Sequence, residues 1–445
     1  MVPLLLSLST TLLSAAAGSS SGSSCGSALL AARCNDSRPA DCDLCAAHNQ
    51  RPLRLAGCSA SAVLAWCSGW PVDITDLYIV DGRIQPGGQL VGTHASQLQT
   101  AIDGCFSPAI SGPERNRHSV FNSSVLRHLH LQGQYFSDAP LSLPSLFVLE
   151  LQGTLSAAAN LSVDTPPYTA MVQLLNVSYS AVLGGTFDAS SLPAAHDPAT
   201  SKGYMALSIK GGAHNAIRHV RALSNNSESI IGINMSPHAE VANCDVGGGH
   251  GEMLQTRCIW TLATSQALLH DNHVHNCSFH ALDLDAYTSS SVAWNNLCEG
   301  NGQEGIFLEE SAHDCSLFNN TCQYNRGGIG VYSSDVGPVA NNFIINNRLI
   351  RNRNYGLSAG GYGHDPDKMS LSNIFAANVV RGNAWDMTPT RWGPAPNAQV
   401  NPAHGAVSKD YWTNNVVQPS AGGLRWDMAH APQNAAALTI FEPEI

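Results

Sequence analysis

From Asn272 the chain reads NHVHNCSFHALDLDAY, from Asn296 NLCEGNGQEGIFLEES, from Asn320 NTCQYNRGGIGVYSS, and from Asn347 NRLIRNRNYGLSAGG. These asparagines stand 24, 24 and 27 residues apart, with Asn243 upstream and Asn378 downstream at looser spacing. Each segment runs from Asn through an apolar residue two positions on to a second polar position, then a small residue and alternating apolar residues. A fixed period in the low twenties points to a repeat architecture. Within HALDLDAY and GIFLEES the apolar period is two, which marks strands with one face inward. A helical hairpin repeat would show a 3.6-residue period, and the regular Leu skeleton of a leucine-rich repeat is missing. What remains is a coil of short strands and turns, each coil stacking ~4.8 Å above the last. Asn suits the turns because it tolerates left-handed geometry, and identical amides at one register form ladders between coils.

Superposing the coils assigns faces. Leu282, Ile306, Ile329 and Leu357 share one inward column, and Leu284, Leu308, Val331 and Ala359 the next. Alternation then sends Asp283, Phe307, Gly330 and Ser358 outward, followed by Asp285, Glu309, Tyr332 and Gly360. One step earlier His280, Glu304, Gly328 and Tyr355 also point out. Cys298 and Cys322 share an inward register, as stacked thiols or as a bridge between coils.

One outer sheet is therefore expected to present His280, Asp283, Asp285, Glu304, Glu309 and Tyr332, with Glu310 at the strand end and His250 and Glu252 from the preceding coil. Asp285 beside Glu309 is a like-charge pair of the kind that destabilises a sheet. No Lys or Arg in the aligned strands neutralises it, and such a pair serves a shared proton or a bound cation. The plainer alternative is a solvated acidic face on an acidic protein.

These segments resemble the PbH1-type repeats of the pectate-lyase-like superfamily, in their Asn-Asn-x-apolar and Gly-Ile-x-apolar signatures. The clear match covers Asn243 to Asn378, and weaker strand-and-turn texture reaches back to Leu129. The resemblance implies an all-β, right-handed parallel β-helix. It does not imply one activity, because that fold hosts lyases, hydrolases, esterases, epimerases and non-enzymes.

Glycoside cleavage needs one protonated carboxyl and one ionised carboxyl. Asp285 with Glu309 is the close pair that suits retention; Asp283 with Glu309 is a diagonal pair expected to be wider, suiting inversion. Asp285 and Glu309 are the favoured catalytic pair, with His280 and Tyr332 to orient a sugar or relay a proton. Elimination is the competing chemistry, with Ca2+ held by the acids and His280 or Tyr332 as base. None of the four lysines, Lys202, Lys210, Lys368 and Lys409, falls on an aligned strand, which ranks it lower. A non-catalytic glycan-binding or matrix solenoid is the reading from a different class.

Gly249-His250-Gly251 resembles the Gly-His-Gly of polygalacturonases, without their accompanying paired-Asp and Arg-x-Lys motifs. Tyr362-Gly363-His364-Asp365-Pro366-Asp367 resembles the Tyr-Gly-x-Asp-Pro-His motif of mannuronan C5-epimerases, with Asp367 in place of the final His. His273-x-His275 faces outward and with Asp271 could hold a metal, although exposed His pairs are more often plain surface, and no metal site is assigned. His128-x-His130 carries less weight. Trp392, Trp412 and Trp426 cap the last coil or stack on sugars.

The composition agrees with this reading. Only 12% of the 445 residues are charged and 39 are Gly, which excludes a long helical bundle. Residues 1–18 read as a secretion signal, an apolar run from Val2 to Leu13 followed by small residues. Eight Asn-x-Ser/Thr sequons and 13 cysteines fit an oxidising compartment. The early cysteines, including Cys42-x-x-Cys45, suggest a disulfide-stapled cap over 19–120, before a β-helix at 121–385 and an irregular closing region at 386–445. The net charge of −11 disfavours nucleic acid and anionic surfaces, and weakly disfavours a polyuronate. A secreted, soluble monomer acting on a polysaccharide, with no membrane span, is expected.

Overall fold

A computed structural model describes residues 73–81, 83–85, 91–106, 125–158, 169–191, 204–225, 229–248, 256–334, 336–361, 370–383, 385–388, 410–418 and 439–440. The expected cap cysteines Cys25 to Cys67, His250, Glu252, the segment from Tyr362 to Asp367, Trp392 and Trp426 lie outside them. The chain divides into two compact units, and nearly all described residues belong to the one formed by 75–121 and 127–445.

Each regular coil contributes two three-residue strands and one longer strand. In one coil these are Val292–Trp294, Leu297–Glu299 and Glu304–Glu309; in the next, Ser316–Phe318, Thr321–Gln323 and Gly327–Ser333. The longer strands stack as one sheet of ten, from Leu141–Ser142 to Trp385–Thr388, and coil after coil pairs in parallel. The inward columns match the sequence alignment: Leu282 opposes Ile306, Ile306 opposes Ile329, and Ile329 opposes Leu357. With Leu284, Leu308, Val331 and Ala359 they sit in a single apolar core that runs the length of the stack. Parallel pairing continues beyond residue 385, through Tyr411–Thr413 and Val416–Gln418.

The corners explain the asparagines. Asn243, Asp271, Asn295, Asn319, Asn346, Ala377 and Asn414 all take φ between 53° and 57°, left-handed values that Asn adopts at low cost. The residue after each such corner points into the core. There Asn272, Asn296, Asn320, Asn347, Asn378 and Asn415 form an amide ladder, each Nδ2 donating to the next Oδ1 at 2.9–3.0 Å. A second ladder joins Asn301, Asn325, Asn352 and Asn383. Left-handed turn and ladder are therefore two roles on adjacent residues. Asn243 is corrected accordingly: it is the exposed corner, and Cys244 occupies the ladder position, its amide donating to Asn272 Oδ1. Both ladders satisfy buried backbone N–H and C=O groups that short strands would otherwise leave unpaired.

Cys298 and Cys322 oppose one another as buried free thiols, while Cys258 and Cys277 form a disulfide between neighbouring coils. Among the described residues no helix is long and apolar enough to cross a membrane.

Candidate functional site

Three outward columns on the ten-stranded sheet carry the expected site. The first is Arg257, His280, Glu304, Gly327 and Tyr355; the second is Trp260, Asp283, Phe307, Gly330 and Ser358; the third includes Glu309, Tyr332 and Gly360. Gly327, rather than Gly328, opposes Glu304. Two inward residues separate the first and second columns, so strict alternation misplaces that position by one. The second of the two belongs to the main core column, and the first is small, as in Ala281, Gly305, Gly328 and Gly356.

The face is outward from the core but not open to solvent. Asp283 is fully buried, and Asp285, Glu304 and Glu309 are 7%, 4% and 8% exposed. His280, Phe307, Tyr332 and Tyr355 are buried beside them. Solvent reaches the cluster at its Asp285–Glu309 end, where Tyr287 is exposed and Glu310 half-buried. Glu310 and Ser311 both take left-handed φ, 50° and 68°.

Arg257 was missed by the sequence reading, which had no aligned coil before Asn272. Its Nε contacts Asp283 Oδ2 at 2.5 Å, and its Nη2 lies 3.9 Å from Glu309 Oε1. The expectation that no base faces these acids is therefore corrected. The signal was present in RCIWTL, whose Ile259 opposes Leu282, but the upstream spacing hides it. Trp260 donates from Nε1 to Asp285 Oδ2 at 2.8 Å, and the Ala286 amide donates to Asp285 Oδ1 at 2.6 Å. The guanidinium also stacks on Trp260 and Phe279, 5.5 and 5.2 Å from their ring centres.

A second network lies deeper. His280 Nδ1 is 2.8 Å from Glu304 Oε2, and Tyr355 donates its hydroxyl to Glu304 Oε1. Tyr355 reaches across a whole coil because Gly327 lies between: a Cβ there would come within 2.7 Å of the phenol ring. Gly330 likewise makes room for Phe307, which stacks on His280 at 4.3 Å. The Tyr332 hydroxyl is engaged with Ser358.

One cation serves three carboxyls, and burial sharpens the imbalance. Burial, together with the charges of Asp283 and Asp285, pushes the Glu309 carboxyl up to about 10 despite Arg257. Burial raises Asp283 to about 6, against the opposing pull of Arg257 and His280. Glu310 is raised for the same reasons, burial first and then Asp285 and Asp283. Burial also opposes the charge of Glu304, but the His280 and Tyr355 contacts outweigh it and hold that carboxyl below its ordinary range. The surroundings thus push the two carboxyls in opposite directions, Glu309 toward its protonated form and Glu304 toward its charged form.

The diagonal pair is not the wider arrangement expected. Ligand atoms of His280, Asp283 and Glu309 lie within 4.8 Å of one another. That closeness is nearer the separation of about 5–5.5 Å of retaining glycosidases than the 6.5–9.5 Å of inverting ones. The same three groups are a conceivable metal cluster, but they fit Ca2+ poorly. Calcium takes six to eight oxygens, and here the Arg257 guanidinium already occupies Asp283.

A family model described as "Periplasmic copper-binding protein (NosD)" matches residues 179–389. No curated protein matches the chain. Among solved structures, the polygalacturonase of Erwinia carotovora ssp. carotovora is similar at 12% identity and a TM-score of 0.52, over 71% of this chain and 90% of that one. The Dettilon tailspike protein is 12% identical with a TM-score of 0.49, over 77% of this chain and 62% of its own length. An exopolygalacturonase from Thermotoga maritima is 10% identical with a TM-score of 0.44, over 66% of this chain and 80% of that one. With the parallel register above, the likeness to the Erwinia enzyme shows that this chain has the right-handed parallel β-helix fold.

Proposed function

We propose that this protein is a secreted hydrolase of a polysaccharide, acting at the Asp285–Glu309 edge of the acid cluster. The observation that carries the reading is the unequal setting of two neighbouring carboxyls, Glu309 pushed up by burial and by the charges of Asp283 and Asp285, and Asp285 held by two hydrogen-bond donors. Glu309 keeps its proton at neutral pH and serves as the general acid, donating to the leaving glycosidic oxygen. Asp285, with two donors aimed at its oxygens, serves as the nucleophile or base. Asp283 and Arg257 set the local field, and Tyr287 offers a ring at the solvent edge for a sugar to stack upon. A polysaccharide substrate is consistent with what the similar polygalacturonases are named for, and an extracellular or periplasmic location with the apolar start of the chain and the Cys258–Cys277 bridge.

Product analysis of the purified chain on a panel of neutral and uronate polymers tests this. New reducing ends without ultraviolet-absorbing unsaturated sugars are expected, with rates falling by roughly 10²–10⁴ in Glu309→Gln and Asp285→Asn. Unsaturated ends would replace hydrolysis by elimination. The complete burial of Asp283 and Tyr332 favours a second reading, a non-catalytic glycan-binding solenoid, which polymer binding without any product would select.

A further inference from the structure

A second polar cluster stands on another wall of the helix, on the strands Asp245–Gly247, His273–His275 and Leu297–Glu299. Alternation turns both His273 and His275 outward while Val274 enters the core. Parallel stacking then sets Asp245 beside His273 and Glu299 beside His275. Asp245 Oδ1 lies 2.9 Å from His275 Nε2 and 3.4 Å from His273 Nδ1. One ligand atom from each of the three residues falls within 4.8 Å of the others.

The remaining atoms of these side chains are already held. His273 Nε2 meets Glu299 Oε1 at 2.9 Å, and Glu299 Oε2 accepts from Gln323 Nε2 at 2.8 Å. His275 Nδ1 is 3.0 Å from the Asn276 side-chain amide, and Arg221 Nε is 3.3 Å from Asp245 Oδ2. Each imidazole thus turns one nitrogen to Asp245, and His273 has its other nitrogen held by the Glu299 carboxylate, as ligating histidines are held around metals. Asp271, expected to be the third ligand, is instead drawn to His270 Nδ1 at 2.7 Å.

We propose that Asp245, His273 and His275 form a binding site for a borderline divalent transition metal, Zn2+ or Cu2+. Two imidazoles and one carboxylate suit these ions and not Ca2+, which prefers oxygen ligands throughout. The side chains are 20–43% exposed, so water completes the coordination shell and the metal enters from solvent. The site is separate from the acid cluster and does not depend on glycan cleavage.

Calorimetric titration of the full chain with ZnCl2, and electron paramagnetic resonance with CuCl2, test the proposal. One saturable equivalent is expected at this site, with a copper spectrum showing two coordinated imidazole nitrogens. His275→Ala loses one nitrogen coupling and weakens binding at least ~10-fold, and Glu299→Gln weakens it by about 10–100-fold through loss of the outer partner. Asp271→Asn leaves the affinity unchanged. Melting curves in chelator confirm that each variant folds, and Asp245→Asn, which keeps the side-chain volume, weakens binding if any histidine variant does not fold. Absence of saturable binding, or binding and a copper spectrum unmoved by His275→Ala, overturns the assignment.

Discussion

At the scale of the residue, Arg257 and Glu309 carry most of the consequences. Arg257 is the cation facing Asp283, Asp285 and Glu309, and Asp283 has no solvent exposure. Arg257→Ala strands a buried carboxylate and is expected to cost about 3–5 kcal/mol, read as a lowered denaturation midpoint. Adding Asp283→Asn restores part of the loss; an unchanged midpoint in the single variant contradicts the pairing. Glu309 makes a pH prediction. Its carboxyl titrates near 10 in the fold, against about 4.3 in an unfolded chain. Between those values the folded state holds the extra proton, so stability falls as pH rises through the window. Glu240 and Glu304, whose carboxyls lie below their ordinary range, lose their effect below the window and do not mask it. Thermal melts from pH 6 to 9 should therefore show a downward slope that Glu309→Gln reduces, leaving the part due to His270, which against burial the Glu240 and Asp271 carboxylates hold protonated to higher pH. Equal slopes in the two proteins count against the stored proton.

At the scale of the element, the coil is held by paired corner residues with different duties. Asn320 accepts from the Asn296 amide N–H and side chain and donates to Ala293 O and Asn347. Asn319 beside it is an exposed left-handed corner. Asn320→Ala orphans several buried groups and should cost about 1–3 kcal/mol, while Asn319→Gly should change stability by a few tenths. Chemical denaturation of the two variants checks the contrast, and similar losses would contradict it. The inward columns and the existence of an asparagine ladder were legible in the sequence, because a period of two beside a fixed anchor admits few registers. Asn243 and Gly328 were each one position out. Neither the two-residue corner nor the extra inward residue before Ile306 leaves a mark in apolar periodicity.

At the scale of the molecule, the site exists because stacking brings distant residues to one ledge. Arg257, Asp283 and Glu309 belong to three successive coils. Composition and repeat pattern revealed the solenoid, since each coil repeats the same physical problem. The site was only half legible. The acids appeared by column, but their burial and the opposing guanidinium depend on neighbours whose spacing is irregular. Because coils contact mainly their neighbours, excision of residues 296–319 should let Asn272 meet Asn320 in the ladder. That variant is expected to keep a β-rich circular dichroism spectrum and cooperative melting while losing Glu304, Glu309 and the proposed hydrolysis; loss of folding would contradict the coil as the unit. The most direct test of the whole account is carbon NMR titration of the Glu309 side-chain carboxyl in the intact protein, assigned by comparison with Glu309→Gln. A carboxyl that is protonated at pH 7 and ionises near 10 is expected. A carboxylate signal at pH 7, titrating in the ordinary acid range, would contradict it.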